Sequence, residues 1–294
     1  MIKYVAAVSG GPDSMSMLDM FKKQIALVCH VNYNKRTTAQ RDAIIVENYC
    51  KKNKLKLEVL NVTDTMYKQY KELNNNFQAI ARSIRYDFFN SCANKANLNT
   101  VLVAHTKDDF LETAMMQRKR NSASLFLGIQ EKSVYKSVNI YRPLLNKWKE
   151  ELIKYCDKKQ IIFGWDETND LDLYERNKIR KAIALLSKDD KIVEFKRIQQ
   201  FNKDNKKKRV AIQSEFNLWK YLSYDISAFQ DMKDSHQSYV IYLLLTSLSI
   251  STINKDKITL VIQWINSANK GTSLRIDNNV YLKKVDHFIK MIER

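Results

Sequence analysis

Residues 4–18 read Tyr4-Val5-Ala6-Ala7-Val8-Ser9-Gly10-Gly11-Pro12-Asp13-Ser14-Met15-Ser16-Met17-Leu18. The run 4–8 is continuous, apolar and β-rich, as a strand buried on both faces requires. Beyond Pro12, apolar residues at 17, 18, 20 and 21 give helical character. The order is strand, Ser9-Gly10-Gly11-Pro12-Asp13-Ser14, helix. A Gly-rich turn that opens a helix aims several backbone N–H groups at one point, and the helix dipole adds positive potential there. Such a turn suits a phosphate, and glycine matters because a Cβ would block the close approach of the anion. The spacing is neither that of the Walker loop, whose lysine is absent, nor G-x-G-x-x-G. An ordinary strand-to-helix turn with Ser or Asp as N-cap is the competing reading.

Moving outward, residues 25–31 form a second apolar run, 39–52 a polar helix, and 55–62 a third strand. Helical sequence over 77–93 leads to a strand at 100–104. This alternation predicts an α/β fold, a doubly wound parallel sheet with helices on both faces. In such sheets ligands bind outside the carboxyl ends of the strands. Three stretches fall at those ends: the 9–14 turn, His30-Val31-Asn32-Tyr33-Asn34-Lys35-Arg36, and His105-Thr106-Lys107-Asp108-Asp109-Phe110-Leu111-Glu112.

The third stretch is acidic in a basic chain. With a helix running from 107, Asp108 and Glu112 share a face at i,i+4, with Asp109 beside them, and like charges at that spacing repel. Carboxylate oxygens close to nucleotide phosphates are natural Mg²⁺ ligands, which makes Asp108 and Asp109 the candidate metal ligands. An acidic first turn favoured by the helix dipole explains the same residues without a metal. The residues by themselves leave both open.

Composition bounds the rest. The chain has 294 residues, of which 45% are hydrophobic, so wholesale disorder is excluded. Lys+Arg 50 against Asp+Glu 32 leaves +18, a balance that favours a polyanionic partner. AT-rich coding bias would also enrich Lys at the expense of Gly and Pro. Only five glycines occur where about 20 are usual, yet two of them are adjacent in the 9–14 turn. The four cysteines, Cys29, Cys50, Cys92 and Cys156, are scattered and contain no C-x-x-C pair, which argues against a disulfide framework, zinc or an iron–sulfur site. No stretch reaches the ~18 apolar residues of a membrane span, and the N-terminus runs straight into a strand, so a cytoplasmic protein without membrane attachment is expected.

The hexapeptide 9–14 after a first strand resembles the pyrophosphate loop of the PP-loop ATP pyrophosphatases, a Rossmann-like superfamily that cleaves ATP between its α and β phosphates. Further blocks are similar to the tRNA(Ile)-lysidine synthetases. These are Ala81-Arg82-Ser83-Ile84-Arg85-Tyr86, the His-x-x-Asp-Asp-x-x-Glu-Thr pattern at 105–113, Arg142-Pro143-Leu144-Leu145, and Asp166-Glu167-Thr168-Asn169-Asp170 followed by Tyr174-Glu175-Arg176-Asn177-Lys178-Ile179-Arg180. Together they cover roughly 1–182. Two places depart from the family pattern: Tyr33 and Lys35 replace His and Leu, and 118–124 (Arg118-Lys119-Arg120-Asn121-Ser122-Ala123-Ser124) lacks the usual glycines.

The resemblance implies ligation of free L-lysine to C2 of the wobble cytidine in the CAU anticodon of tRNA(Ile). The C2 oxygen attacks the α-phosphate of ATP, pyrophosphate leaves, and the lysine amine then displaces AMP. It implies an ATP site at Ser9, Gly10, Gly11, Pro12, Asp13 and Ser14, with His30 and His105 at its sides. Asp108, Asp109 and Glu112 are candidates for metal binding or for the base that keeps the amine neutral. Arg82, Arg85, Arg118 and Arg120 are candidates for holding phosphate charge or the lysine carboxylate. The alternatives are another PP-loop enzyme, a tRNA thiolase or an amidating synthetase, and a non-catalytic RNA-binding protein. Paired cysteines for a thiolase and a glutaminase for an amidotransferase are missing from the sequence.

Composition changes near 187, which predicts a PP-loop domain over 1–188 and a smaller, mainly helical domain over 189–294. The latter carries a basic run at 206–209, expected from its charge to contact tRNA, and a terminal hairpin where 273–282 alternates around Asp277-Asn278-Asn279. His236 and His287 lie there without metal spacing.

Overall fold

The computed structural model describes residues 2–33, 39–73, 77–165, 175–248, 250, 253–269, 271–277 and 280–293. Asn34, Lys35 and Arg36, the 166–170 block with Tyr174, and the turn residues Asn278 and Asn279 lie outside the described residues. The chain divides into two compact units, Met1–Glu112 with Ile129–Leu185, and Thr113–Gly128 with Leu186–Arg294. This division differs from a single cut at 188 because 113–128 go with the second unit.

The first unit runs β1 (Tyr4–Ala7), α1 (Pro12–Phe21), β2 (Ile25–Asn32), α2 (Ala39–Lys52), β3 (Leu57–Asn61), α3 (Asp64–Leu73), α4 (Phe77–Lys95), β4 (Thr100–Val103) and the start of α5 (Lys107–Lys119). It resumes with β5 (Lys132–Tyr135), β6 (Val138–Tyr141), α6 (Lys149–Lys159) and α7 (Glu175–Ala184). The strands form one sheet in the order β3-β2-β1-β4-β6-β5. All neighbours pair parallel except β5, which turns back antiparallel on β6. Side chains of β1 alternate between the two faces. Ala6, with Val8 just beyond the strand, packs with Met15, Met17 and Leu18 of α1, Val46 of α2, and Leu152 and Cys156 of α6. Val5 and Ala7 face Tyr86, Phe89, Cys92 and Ala93 of α4. Strand order reverses at the β1/β4 junction, the switch point at which doubly wound sheets open a crevice. The 9–14 loop and the start of α5 leave the sheet at that junction. The doubly wound sheet expected from the sequence is present; α3, the β5–β6 hairpin and α6 are additions to it.

The second unit is mainly helical. It holds α8 (Lys188–Asp204), α9 (Lys206–Tyr221), α10 (Ile226–Gln230), α11 (Asp234–Ser247) and α12 (Lys255–Asn266), followed by β7 (Ser273–Arg275), β8 (Val280–Val285) and β9 (Phe288–Glu293). Trp219 is its buried centre: the indole N–H donates to the Asp225 carbonyl at 2.7 Å, and the ring packs on Phe229 and Tyr224. The 120–128 segment is tied in by Asn202, whose buried amide donates to the Leu127 carbonyl and accepts the Leu127 N–H, both at 2.8 Å. The expected hairpin is β7–β8, and β9 adds a third antiparallel strand. His236 pairs with Glu215 at 2.9 Å.

Candidate active site

The 9–14 loop is held open by its own side chains. The Ser14 hydroxyl accepts the Ser9 N–H at 3.1 Å and donates to the Gly11 carbonyl at 3.0 Å. Pro12 occupies the first helical position, where its missing N–H loses nothing, and Gly11 at the N-cap has no capping side chain. Gly10 has φ +93°, and a Cβ there would come within 3.0 Å of Asp42 in α2. Gly164 closes the back of the loop, its N–H donating to the Gly10 carbonyl at 2.8 Å. The start of α1 is therefore left without a side-chain cap.

Asp13 lies in the first turn of α1. Its Oδ1 is buried and lacks a hydrogen-bond partner among the described residues. Burial, the largest effect, raises its carboxyl to about 7; Asp109 and Asp108 push in the same direction, while Lys149 and Arg180 oppose them. The loop and the start of α5 are thus close enough to act on each other electrically.

Each acid on α5 has a different surrounding. Asp109 forms a reciprocal cap with Thr106: its Oδ2 accepts the Thr106 N–H at 2.9 Å, and its Oδ1 accepts Arg176 Nη2 at 2.8 Å. Burial works against its charge, but His105, Arg176 and the Thr106 donors more than offset this, and the carboxyl titrates below its ordinary range. Glu112 is 3% exposed. Its two oxygens take Arg176 Nε and Arg180 Nε, each at 2.7 Å. Asp108 Oδ2 accepts the backbone N–H of Lys149 at 2.8 Å, at the start of α6. Glu112, a sequence candidate for base or metal ligand, anchors a two-arginine clamp. Among the described residues, no group of three His, Cys, Asp or Glu side chains is placed to hold a metal ion.

His105 Nδ1 lies 3.2 Å from Arg142 Nε. His30 is buried, bonds the Val8 carbonyl through Nδ1 at 2.9 Å, and leaves Nε2 without a partner among the described residues. Burial lowers its pKa. Arg82 is exposed and lies 4.5 Å over the Tyr86 ring. It is near enough to His105 and Arg142 to depress the pKa of both. Arg85 is exposed near Tyr33, the departing residue, whose hydroxyl donates to the Ala81 carbonyl at 2.6 Å. Arg118, read from the sequence as a catalytic cation, pairs with Glu194 of α8 within the second unit. Arg120 is exposed in the same unit.

Comparison with known proteins identifies the family. A PP-loop domain family matches residues 2–186. The tRNA(Ile)-lysidine synthase of Ureaplasma parvum is 42% identical over 282 residues, 95% of this chain and 84% of that one. Those of Malacoplasma penetrans and Mycoplasmopsis pulmonis are each 39% identical, over 96% and 98% of this chain and 95% and 99% of theirs. The chain belongs to the tRNA(Ile)-lysidine synthase family. Among solved structures, the U34-tRNA thiolase NcsA of Methanococcus maripaludis shares the fold with a TM-score of 0.56 and 14% identity, covering 69% of this chain and 71% of that one.

For this lysidine synthase family member, the site contains residues that the sequence reading quoted without assigning a role. Arg176 and Arg180 stand one turn apart on α7 beside the buried Ile179 and Ile183. Two cations at i,i+4 on an apolar-backed helix, in a chain with an acidic cluster elsewhere, were the available signal. Lys149 gave none, because its place beside Asp13 depends on how α6 packs.

Proposed function

We propose that this chain uses ATP to adenylate C2 of the wobble cytidine of tRNA(Ile) and then joins lysine to that carbon, releasing AMP and pyrophosphate. The observation that carries the reading is the meeting of the 9–14 loop with the start of α5 at the β1/β4 switch point, seen in the electrostatic coupling of Asp13 to Asp108, Asp109, Lys149 and Arg180. The backbone amides at the start of α1, where no side chain caps the helix, are suited to the pyrophosphate, and the α1 dipole favours its charge.

A carbonyl oxygen at C2 leaves poorly, whereas an adenylate leaves readily. Interactions that bind the growing phosphate charge therefore act on the first step. Arg176 and Arg180 are held for such work by Glu112, whose two oxygens each accept one Nε–H. Arg82 is a further cation at the same edge. The lysine carboxylate is a second group that the clamp suits, because a guanidinium matches a carboxylate in two-point geometry.

Mg²⁺ fits the residues present. The unpartnered Oδ1 of Asp13, with Asp108 close by, offers the hard oxygen donors that this ion takes beside nucleotide phosphates and water. When bound it would supply charge neutralisation at the phosphates. Asp109 and Glu112 are already held by arginines, so they act here as positioning anions. No helix among the described residues is long and apolar enough to cross a membrane, and we place the reaction in the cytoplasm, where tRNA, ATP and free lysine meet.

The test uses the full chain with an unmodified tRNA(Ile) transcript bearing CAU, ATP and labelled lysine. Pyrophosphate release should require the tRNA but not lysine, and label should enter only the cytidine at the wobble position. Release without tRNA, or incorporation of sulfur or ammonia in place of lysine, would overturn the reading.

A further inference from the structure

His105 and Arg142 form a pair whose chemistry is fixed by one partner. Arg142 is 4% exposed. Its Nη1 donates to the Gln130 carbonyl at 2.9 Å and to the Ser133 hydroxyl at 3.0 Å, while its Nε points at His105 Nδ1 at 3.2 Å. A guanidinium keeps all its protons in a protein and has no acceptor. Nε–H must therefore donate and Nδ1 must accept, so the proton of a neutral His105 ring sits on Nε2. A protonated ring would set N–H against N–H. The charged groups facing the ring are Asp109 on its own turn, Arg142, Arg176 and Arg82. Three of these four disfavour an imidazolium. Burial adds the largest effect, and together they push the ring down to about 4.

We propose that Arg142 is a positioning residue that locks His105 as the neutral Nε2–H tautomer, making His105 a hydrogen-bond donor to an anionic oxygen of the nucleotide and not a base. The inference rests on the ATP-site reading above. It follows that His105 does not take the proton of the incoming lysine amine, and that its donation stays constant across the neutral pH range. A rigidly held donor at a site where phosphate charge develops needs no reorganisation during the reaction.

The second histidine of the sheet edge supplies an internal standard. His30 faces a carbonyl oxygen through Nδ1, so its ring must carry the opposite, Nδ1–H tautomer. Nitrogen-15 NMR of the full chain labelled at its four histidines reads both tautomers in one spectrum, with His105→Gln identifying the signal. The expected result is Nε2–H for His105 and Nδ1–H for His30, with the His105 Nε2–H resonance moving on ATP binding. An Nδ1–H or mixed His105 in the unsubstituted protein overturns the proposal, whatever the variants do. ATP that binds by calorimetry yet leaves the His105 signal unmoved also overturns it. ATP that fails to bind at all overturns the nucleotide reading instead, and the tautomer assignment stands by itself.

Arg142→Met should release the ring into a mixture of tautomers and lower the rate of pyrophosphate release by about 10²-fold, the loss typical of one misplaced transition-state donor, with KM for tRNA unchanged. Arg142→Lys keeps a single donor for Nδ1 and should restore the Nε2–H signal. His105→Gln keeps an N–H near the Nε2 position and should be less impaired than His105→Phe. Equal losses in the two would mean that the ring only fills space and would sink the donor role.

Discussion

At Gly10 the backbone has φ +93°, and an added Cβ would come within 3.0 Å of the Asp42 Cβ and carbonyl oxygen, whereas at Gly11 it would meet only Ser9 Oγ at 3.7 Å and the Gly164 carbonyl at 3.9 Å. The neighbouring glycines therefore answer to different demands. Gly10→Ala should destabilise the free protein by at least about 1–2 kcal/mol, the cost of a left-handed non-glycine residue, with the crowding of Asp42 in addition. Gly11→Ala should melt within a degree or two of the parent but lose pyrophosphate release, because its Cβ obstructs only a bound anion. Thermal melts and release assays on the two variants separate the cases, and normal release by Gly11→Ala would remove the loop from the ATP site. Asp13 makes the complementary point about charge. Its folded carboxyl titrates at about 7 against 3.8 when unfolded. Between those values the folded state keeps a proton that the unfolded state gives up, so stability falls as pH rises through that window and levels off above it. In protein free of metal and nucleotide, Asp13→Asn should therefore be more stable than the parent at pH 8, on the order of a few kcal/mol, and nearly equal to it at pH 4. Urea melts at the two pH values measure this, and a stability gain independent of pH would show that Asp13 is not buried as an acid.

Eight non-glycine residues among those described have positive φ: Lys54, Asn97, Asn121, Lys136, Gln160, Ser223, Tyr224 and Asp286. In a chain with five glycines, these residues end helices and turn hairpins where glycine usually does. Gln160 shows it well: it caps α6 at φ 52°, ψ 41° and is exposed. Gln160→Gly should raise stability by about 1 kcal/mol, seen as a higher urea midpoint at unchanged slope, and an unchanged midpoint would show that the left-handed turn carries no strain. The same habit decided what was legible in the sequence. β1, β2 and β4 were readable because central parallel strands are apolar without a break, and the 9–14 loop because it kept its glycines. The β5–β6 hairpin was not, since its strands are four residues each and its turn is Lys136-Ser137, with Lys136 at φ 50° where Asn or Gly would announce a turn. α6 was hidden because only Leu152 and Cys156 are buried on it. The acids of α5 were legible as a cluster, but not which arginine each would face. Glu112 and Arg180 are 68 residues apart, and pairing at that distance is set by how α7 packs, not by spacing.

Over the whole molecule the net charge of +18 either is a footprint for RNA or reflects Lys-rich composition alone. Cutting the chain near 188 is a poor way to decide. Ala123 and Leu125 pack against the core of the second unit, and Leu127 is bonded to Asn202, so removing 189–294 would strip partners from 113–128. Charge substitution within the intact fold is cleaner. Lys206, Lys207 and Lys208 are exposed at the start of α9, whose first turn holds no acid, and the helix dipole disfavours cations there. Replacing all three with Gln should leave the melting temperature equal or slightly higher. If each lysine meets a phosphate, the slope of log affinity for tRNA against log salt should become shallower by about two to three, at 0.7–0.9 per contact. Pyrophosphate release at saturating tRNA should be unchanged, because these lysines belong to the second unit while the 9–14 loop and Asp108 belong to the first. An unchanged slope in the triple variant would make the run a solvated helix face, and the RNA footprint would then have to be sought among the cations of the first unit.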